Sequence, residues 1–306
     1  MTLNFDLANV AATEFGVGLD EGADEAFRVI PVDSDVQGAL REMALATHEE
    51  MKALNTEPPV YQPSEKHGGM EYVILPTTDE LAEKLRLLHE ANNLQMDSKA
   101  IEKTAEIFCY FARFTDKKGH RLTSLRRSTQ FKGVLKSRLI RFMTDALRLI
   151  EDRVFKLDSD FDLLIDSTTV HILRPSAFEF AGKLQQAVLA SASKNIAGIR
   201  KDLSYVDLKP IEKYAVKHPR AARLLASIHS QGGTKGVEQR LLERECKLMG
   251  VAVDTTGGKL TFPESEVLGF LEVLDRRRYH LELVKNSPER FRAASRTKLK
   301  SEDPKV

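Results

Sequence analysis

Between Val154 and Phe180 the chain reads VFKLDSDFDLLIDSTTVHILRPSAFEF, and its apolar positions fall into two strand-length runs. Phe161–Asp166 and Val170–Leu173 are the predicted strands, joined by a polar turn at Ser167–Thr169. In the second run Val170 and Ile172 face one side and His171 the other, as in a half-buried strand. Pro175 blocks extension, and Ser176 is the expected N-cap of a helix with Phe178 and Phe180 on its entry turn. This is the pattern of a packing module, with no catalytic signature.

The same reading extends along the chain. Strand-like runs at Asn4–Val10 and Ala26–Val32 flank an acidic loop, and Leu40, Met43, Ala44 and Met51 recur at helical spacing within Val36–Leu54. Asn55–Gly69 is rich in Pro and Gly and reads as a linker. A strand at Tyr72–Leu75 ends at Pro76, and Thr77 with Glu80 predicts a capping box for a helix through Glu90. Ile107–Phe114 and His120–Arg127 form a strand pair, followed by a basic amphipathic run from Phe131 to Phe142. Helices are expected at Ala177–Ala192, at Lys209–Lys217 behind Asp207, and from Pro219 to Ser230. A terminal unit reads helix Val237–Met249, hairpin strands Val251–Asp254 and Lys259–Phe262, helix Glu264–Leu274 and strand Arg278–Val284, with a polar tail after Lys285 that frays at least beyond Arg296. The predicted fold class is α+β: a twisted, mostly antiparallel sheet flanked by helices, with a small C-terminal α+β unit. Three regions are expected, 1–69, 70–230 and 231–306.

Composition narrows the class without changing the architecture. The chain has 306 residues, enough for a substantial core, and only Cys109 and Cys246, which suits a reducing compartment and buried thiols. No secretory leader pattern opens the chain and no apolar run is long enough to span a bilayer, so a cytoplasmic protein is expected. Charge is unevenly placed. Residues 1–100 carry 7 Lys and Arg against 19 Asp and Glu, leaving 39 against 26 in the remainder. An acidic head on a basic body fits either polyanion binding or self-complementary docking, and both readings stay open.

The strongest candidate chemistry is the basic stretch from Lys117 to Arg141, with Ser124, Ser128, Thr129 and Ser137 interleaved as phosphate-bonding hydroxyls. Arg126, Arg127, Lys132, Lys136, Arg138 and Arg141 are its candidate DNA-binding residues, joined by Arg220 and Arg223 near the helix start at Pro219. Asp160, Asp162 and Asp166, with Lys183 downstream, raise a metal-dependent nuclease reading, but the Glu-x-Lys doublet expected beside them is missing. Histidines and cysteines lack ligand spacing, and Gly257–Lys259 has no phosphate-loop spacing, so no metal, cofactor or catalytic residue is assigned.

The string FDLLI…VHIL…FEF resembles the central segment of the KwaB family, the soluble subunit of the two-gene Kiwa anti-phage defence system. Ala105–Phe114 (AEIFCYFARF), the turn at Thr115–Gly119 and the basic return strand His120–Arg127 have the layout of that family, and Asp162, Phe178 and Glu179 fit it. The likeness runs from Ile107 onward, while residues 1–100 match loosely. It implies a non-catalytic, sequence-independent DNA-binding subunit that occludes phage DNA. It further implies an integral membrane partner of the KwaA type that recruits the protein to the inner membrane, and a homodimer or higher homo-oligomer. The alternatives are a metal-dependent defence nuclease and a structural oligomeric assembly protein.

Overall fold

The computed structural model describes residues 3–21, 24–54, 57–65, 67, 71–103, 106–128, 139–142, 147–150, 155–232, 234–285 and 287–294. They divide into a sheet unit, 1–60 with 68–184, and a helical unit, 61–67 with 185–306.

The sheet unit contains β1 (Val10–Glu21), β2 (Asp24–Ile30), α1 (Ser34–Leu54), β3 (Val73–Pro76), α2 (Glu83–Glu90), β4 (Gln95–Met96), β5 (Ile107–Asp116) and β6 (Arg121–Arg127). β7 (Leu139–Phe142), β8 (Leu147–Ile150), β9 (Leu163–Ile165), β10 (Thr169–Ile172) and α3 (Pro175–Ala181) complete it. Eight strands form one sheet in the order β3-β10-β9-β6-β5-β1-β2-β4, and β7 pairs with β8 separately. Every pairing between these strands is antiparallel except β2 with β4. The α+β architecture with a mostly antiparallel sheet is therefore as the sequence predicts.

β5 sits inside the sheet, which explains its near-unbroken apolar run: residues Ile107 through Phe114 are all buried. On one face Tyr110, Ala112 and Phe114 join Phe15, Val17 and Leu19 of β1 and Leu40, Met43, Ala44 and Met51 of α1 in a single core. The register between β1 and β5 shifts where Gly18 pairs with Cys109 and Leu19 with Ile107, so Phe108 is a bulge residue. That bulge turns the Phe108 ring onto the second face, against Phe27 and Phe180. Gly16 and Gly18 make room there. A Cβ on Gly16 would lie 2.3 Å from Phe111 Cζ, and one on Gly18 2.7 Å from both Cys109 Sγ and Phe108 Cζ. The same glycines disguise the strand in sequence, and the predicted run Asn4–Val10 is displaced to Val10–Glu21 behind a single 3₁₀ turn.

α2 follows a 3₁₀ turn whose cap is Asp79, which accepts from Leu81 N; Thr77 does not cap it. Its last carbonyls are met by arginines from the sheet: Arg121 Nη1 donates to His89 O at 2.6 Å, and Arg113 Nη1 to Ala91 O at 2.5 Å. Positive charge at a helix C-terminus opposes the macrodipole and satisfies carbonyls left without intrahelical partners. Arg174, not Ser176, occupies the N-cap of α3, because Pro175 fills the first helical position, where its missing N–H costs nothing.

The helical unit begins with α4 (Leu184–Arg200), whose first residue ends the sheet unit. It continues with α5 (Lys209–Ala215), α6 (Pro219–Ser230), α7 (Gln239–Leu248), α8 (Val267–Leu274) and the hairpin β11 (Arg278–Val284) with β12 (Ser287–Arg292). The predicted single helix Ala177–Ala192 is two helices, broken at Gly182 and at Lys183, whose φ of 47° is left-handed. The predicted strands at 251–262 reduce to bridges, Asp254 with Thr261 and Val206 with Leu260. Within the polar tail, residues 287–292 pair as β12.

Tyr61–His67, read as linker, is built into the helical unit: Ser64 Oγ donates to Asp275 Oδ2 at 3.0 Å and accepts from Arg277 Nη2 at 2.7 Å. Tyr61 is buried and stacks on His67.

Candidate functional site

Strand alternation sends neighbouring residues to opposite faces, and at the end of β6 it separates Arg126 from Arg127. Arg126 joins Tyr110 and Asp158. Its Nε donates to Asp158 Oδ2 at 3.2 Å, and its Nη1 to Asp160 Oδ1 at 2.7 Å and Asp162 Oδ1 at 2.9 Å. Tyr110 donates its hydroxyl to Asp158 at 2.9 Å. Arg174 closes the group from the other side, donating to Asp160 Oδ2 at 3.1 Å, to Asp162 Oδ1 at 3.3 Å and to Phe161 O. Asp162 Oδ2 accepts from Arg127 N at 2.6 Å. Burial lifts the Asp162 carboxyl above its ordinary value, against the opposing pull of Arg126 and Arg174. Burial disfavours the Arg126 cation, yet Asp162, Asp158 and Asp160 outweigh it and raise Arg126 overall.

This arrangement bears on the nuclease reading. Asp160 spends both oxygens and Asp162 its Oδ1 on two guanidinium groups, Asp162 Oδ2 takes the Arg127 backbone N–H, and Asp166 belongs to a different cluster. Its Oδ2 accepts from His171 Nε2 at 3.0 Å and from Asn4 N at 3.1 Å, and its Oδ1 from Thr168 N and Thr169 N at 2.9 Å. Burial raises that carboxyl, but the hydrogen bonds from His171, Thr168 and Asn4 hold it well below the carboxylate range. Tyr72 sits 2.9 Å from His171 Nδ1, and burial beside Asp166 pushes its hydroxyl up, so the phenol keeps its proton and donates. Tyr72, His171 and Asp166 are 2%, 4% and 1% exposed, which gives this Tyr–His–Asp chain no surface for a substrate. It ties the N-terminal segment to the β9–β10 turn. Among the described residues no group of three or more His, Cys, Asp or Glu side chains is placed to hold a metal ion.

Arg127 lies on the second face in different company. Its guanidinium carbon stands 3.9 Å from the centroid of the Phe180 ring, and its buried Nε has no hydrogen-bond partner among the described residues. Phe180 packs edge-on to Phe108 at 6.4 Å, and Lys84 Nζ lies 4.9 Å from the Phe108 centroid. Burial, reinforced by Lys183, lowers Lys84 to about 8, with Asp20 as an opposing charge. Sequence reading singled out Arg127 but missed Phe180 and Lys84, since only the bulge at Phe108 brings them together.

The remaining sequence candidates are dispersed. Lys132, Lys136 and Arg138 lie outside the described residues; Arg141 lies in β7, and only the backbone is described there. In the helical unit Arg220 donates to Glu272 Oε1, and Arg278 donates to Glu272 Oε2 at 2.9 Å. Arg223 donates to Pro63 O at 3.2 Å. These two arginines therefore hold parts of their own unit together, although Arg220 stays half exposed.

A family model described as Kiwa protein KwaB-like matches residues 104–283. No curated protein and no solved structure matches the chain. Among the described residues no helix is long and apolar enough to cross a membrane.

Proposed function

The chain belongs to the KwaB-like family of Kiwa proteins, a component of anti-phage defence, and from that premise we propose that it is the DNA-binding, non-catalytic subunit of the defence complex. It binds phage DNA through phosphates without reading sequence, and blocks the template by occupying it. It acts as a homo-oligomer beside an integral membrane subunit of the KwaA type, which holds it at the inner membrane.

The observation that carries the DNA reading is Arg127. Arg127 is half-buried as a residue and its guanidinium lies over a ring, with no side-chain hydrogen bond to another of the described residues, whereas Arg126 beside it is committed to three carboxylates. A guanidinium with unspent donors suits a phosphate, and the excess of basic residues after residue 100 adds the long-range attraction. Lys117 and Lys118 are exposed at the β5–β6 turn, at the opposite end of that hairpin from Arg127. The engagement of Asp160 and Asp162 by arginines favours a binder over a metal-dependent nuclease.

Titration of duplex DNA between about 50 mM and about 200 mM salt, with Mg²⁺ present and strand integrity followed, tests the reading. The expected result is affinity that falls steeply with salt while the DNA stays intact. Absence of binding at the low-salt end overturns DNA binding, and nicking overturns the non-catalytic assignment.

A further inference from the structure

Phe180 is out of place by the usual logic of burial. Phe15, Phe108, Phe111, Phe114, Phe161 and Phe178 of the sheet unit are buried, whereas Phe180 is 43% exposed on a short helix with Phe178 inside it. Its exposed ring carries Arg127 at 3.9 Å and continues through Phe108 to Lys84. A guanidinium lying over a ring offers its outer face to a second planar group, and its N–H edge to a phosphate. Lys84 and Lys183 add positive charge crowded closely enough for one to depress the other.

Resting on the DNA-binding reading, we propose that Arg127 and Phe180 form a stacking site for an unpaired nucleotide, with Lys84 and Lys183 supplying the charge that draws its phosphates. A base inside closed duplex has both faces covered by its neighbours and cannot enter such a site. The protein therefore binds single-stranded or frayed DNA more tightly than a blunt, closed duplex. Replication forks and transcription bubbles expose such strands, and occupying them stalls both processes without cleavage.

The test compares a fluorescent oligothymidylate with a capped hairpin duplex of equal charge, for the wild-type protein and for Phe180→Ala, Phe180→Trp, Arg127→Lys and Arg127→Ala. Far-UV circular dichroism confirms that each variant keeps the fold. Loss of one stacking contact weakens single-strand binding on the order of tenfold. The expected pattern is such a loss in Phe180→Ala and Arg127→Lys, recovery in Phe180→Trp, and duplex binding changed less than twofold in Arg127→Lys, which keeps the charge and loses the plane. Arg127→Ala weakens both. If Phe180→Ala and Arg127→Lys bind both probes as the wild type does, the stacking site is refuted and the DNA-binding reading stands. If the wild type binds neither probe at low salt, the DNA-binding reading itself fails. Competition by deoxyadenylate as effective as that of the oligonucleotide overturns the assignment to a strand in favour of a free nucleotide.

Discussion

Replacing Arg126 and Arg127 one at a time separates fold from binding. Arg126→Ala removes the cation shared by Asp158, Asp160 and Asp162, whose side chains are 16%, 17% and 4% exposed. Breaking a buried ion pair from one side costs about 3–5 kcal/mol, because a charge is left without a partner. Arg174 still reaches Asp160 and Asp162, and Tyr110 still reaches Asp158, so the lower end, about 3 kcal/mol, applies. With a urea dependence of about 2 kcal/mol per molar, the unfolding midpoint drops by about 1.5 M. Arg127→Ala loses a ring contact worth about 0.5–1 kcal/mol and moves the midpoint by less than about 0.5 M. The chain has no tryptophan, so far-UV circular dichroism is the probe. The deficit in Arg126→Ala also shrinks as pH falls from about 7 to about 5. A less-compensated Asp162 titrates above its unfolded value, so the folded state binds the proton more tightly and gains stability on acidification. Equal midpoints for the two variants would refute the assignment of Arg126 to the fold.

Two further predictions concern the sheet unit. Gly16→Val places a Cβ 2.3 Å from Phe111 Cζ and 2.5 Å from Arg28 O; the carbonyl cannot yield without breaking the strand. A loss of about 1–3 kcal/mol is expected, read as a lower melting temperature, and an unchanged one would contradict the packing. Burial and then Arg121 lower His89, while burial and then Lys52 lower His48, so below the free value of 6.5 the unfolded chain takes up protons first. Stability is therefore present above that value and declines as pH falls through it. Asp166, held low, keeps its charge in this window and contributes its own loss only as pH falls below the unfolded value of 3.8. A melting temperature flat between about pH 7.5 and about pH 5.5 would count against these histidine environments, and His89→Asn should reduce the slope.

Alternation carried most of what was legible. The β9–β10 pair with Val170 and Ile172 opposite His171, the buried run of β5, the α1 stripe and the proline-opened α6 all follow from local periodicity. What stayed hidden depends on partners distant in sequence. β1 looks broken because Gly16 and Gly18 are small, and only the rings of Phe111 and Phe108 explain why small residues belong there. Arg126 and Arg127 look equivalent in a basic run, yet β6 and the 158–162 turn give one of them three aspartates and leave the other a ring. The turn at Tyr61–His67 has the composition of a linker, and the hydrogen bonds of its Pro63 and Ser64 reach residues more than 150 positions away.

That last feature constrains the order in which the chain can be assembled. During synthesis the seven residues 61–67 emerge long before α6 and the residues Asp275 and Arg277 that follow α8, which they later contact. The sheet unit can close once residue 184 is out, with this short loop still waiting. The helical unit finishes only when Asp275 and Arg277 arrive to take Ser64. A polypeptide that starts at residue 185 therefore lacks a structural part of its own core: Asp275 loses the Ser64 hydroxyl, and Arg223 loses the Pro63 carbonyl. Supplying 61–67 in front of it through a flexible joint should restore that half of the protein, whereas a cut at the apparent linker would damage both halves.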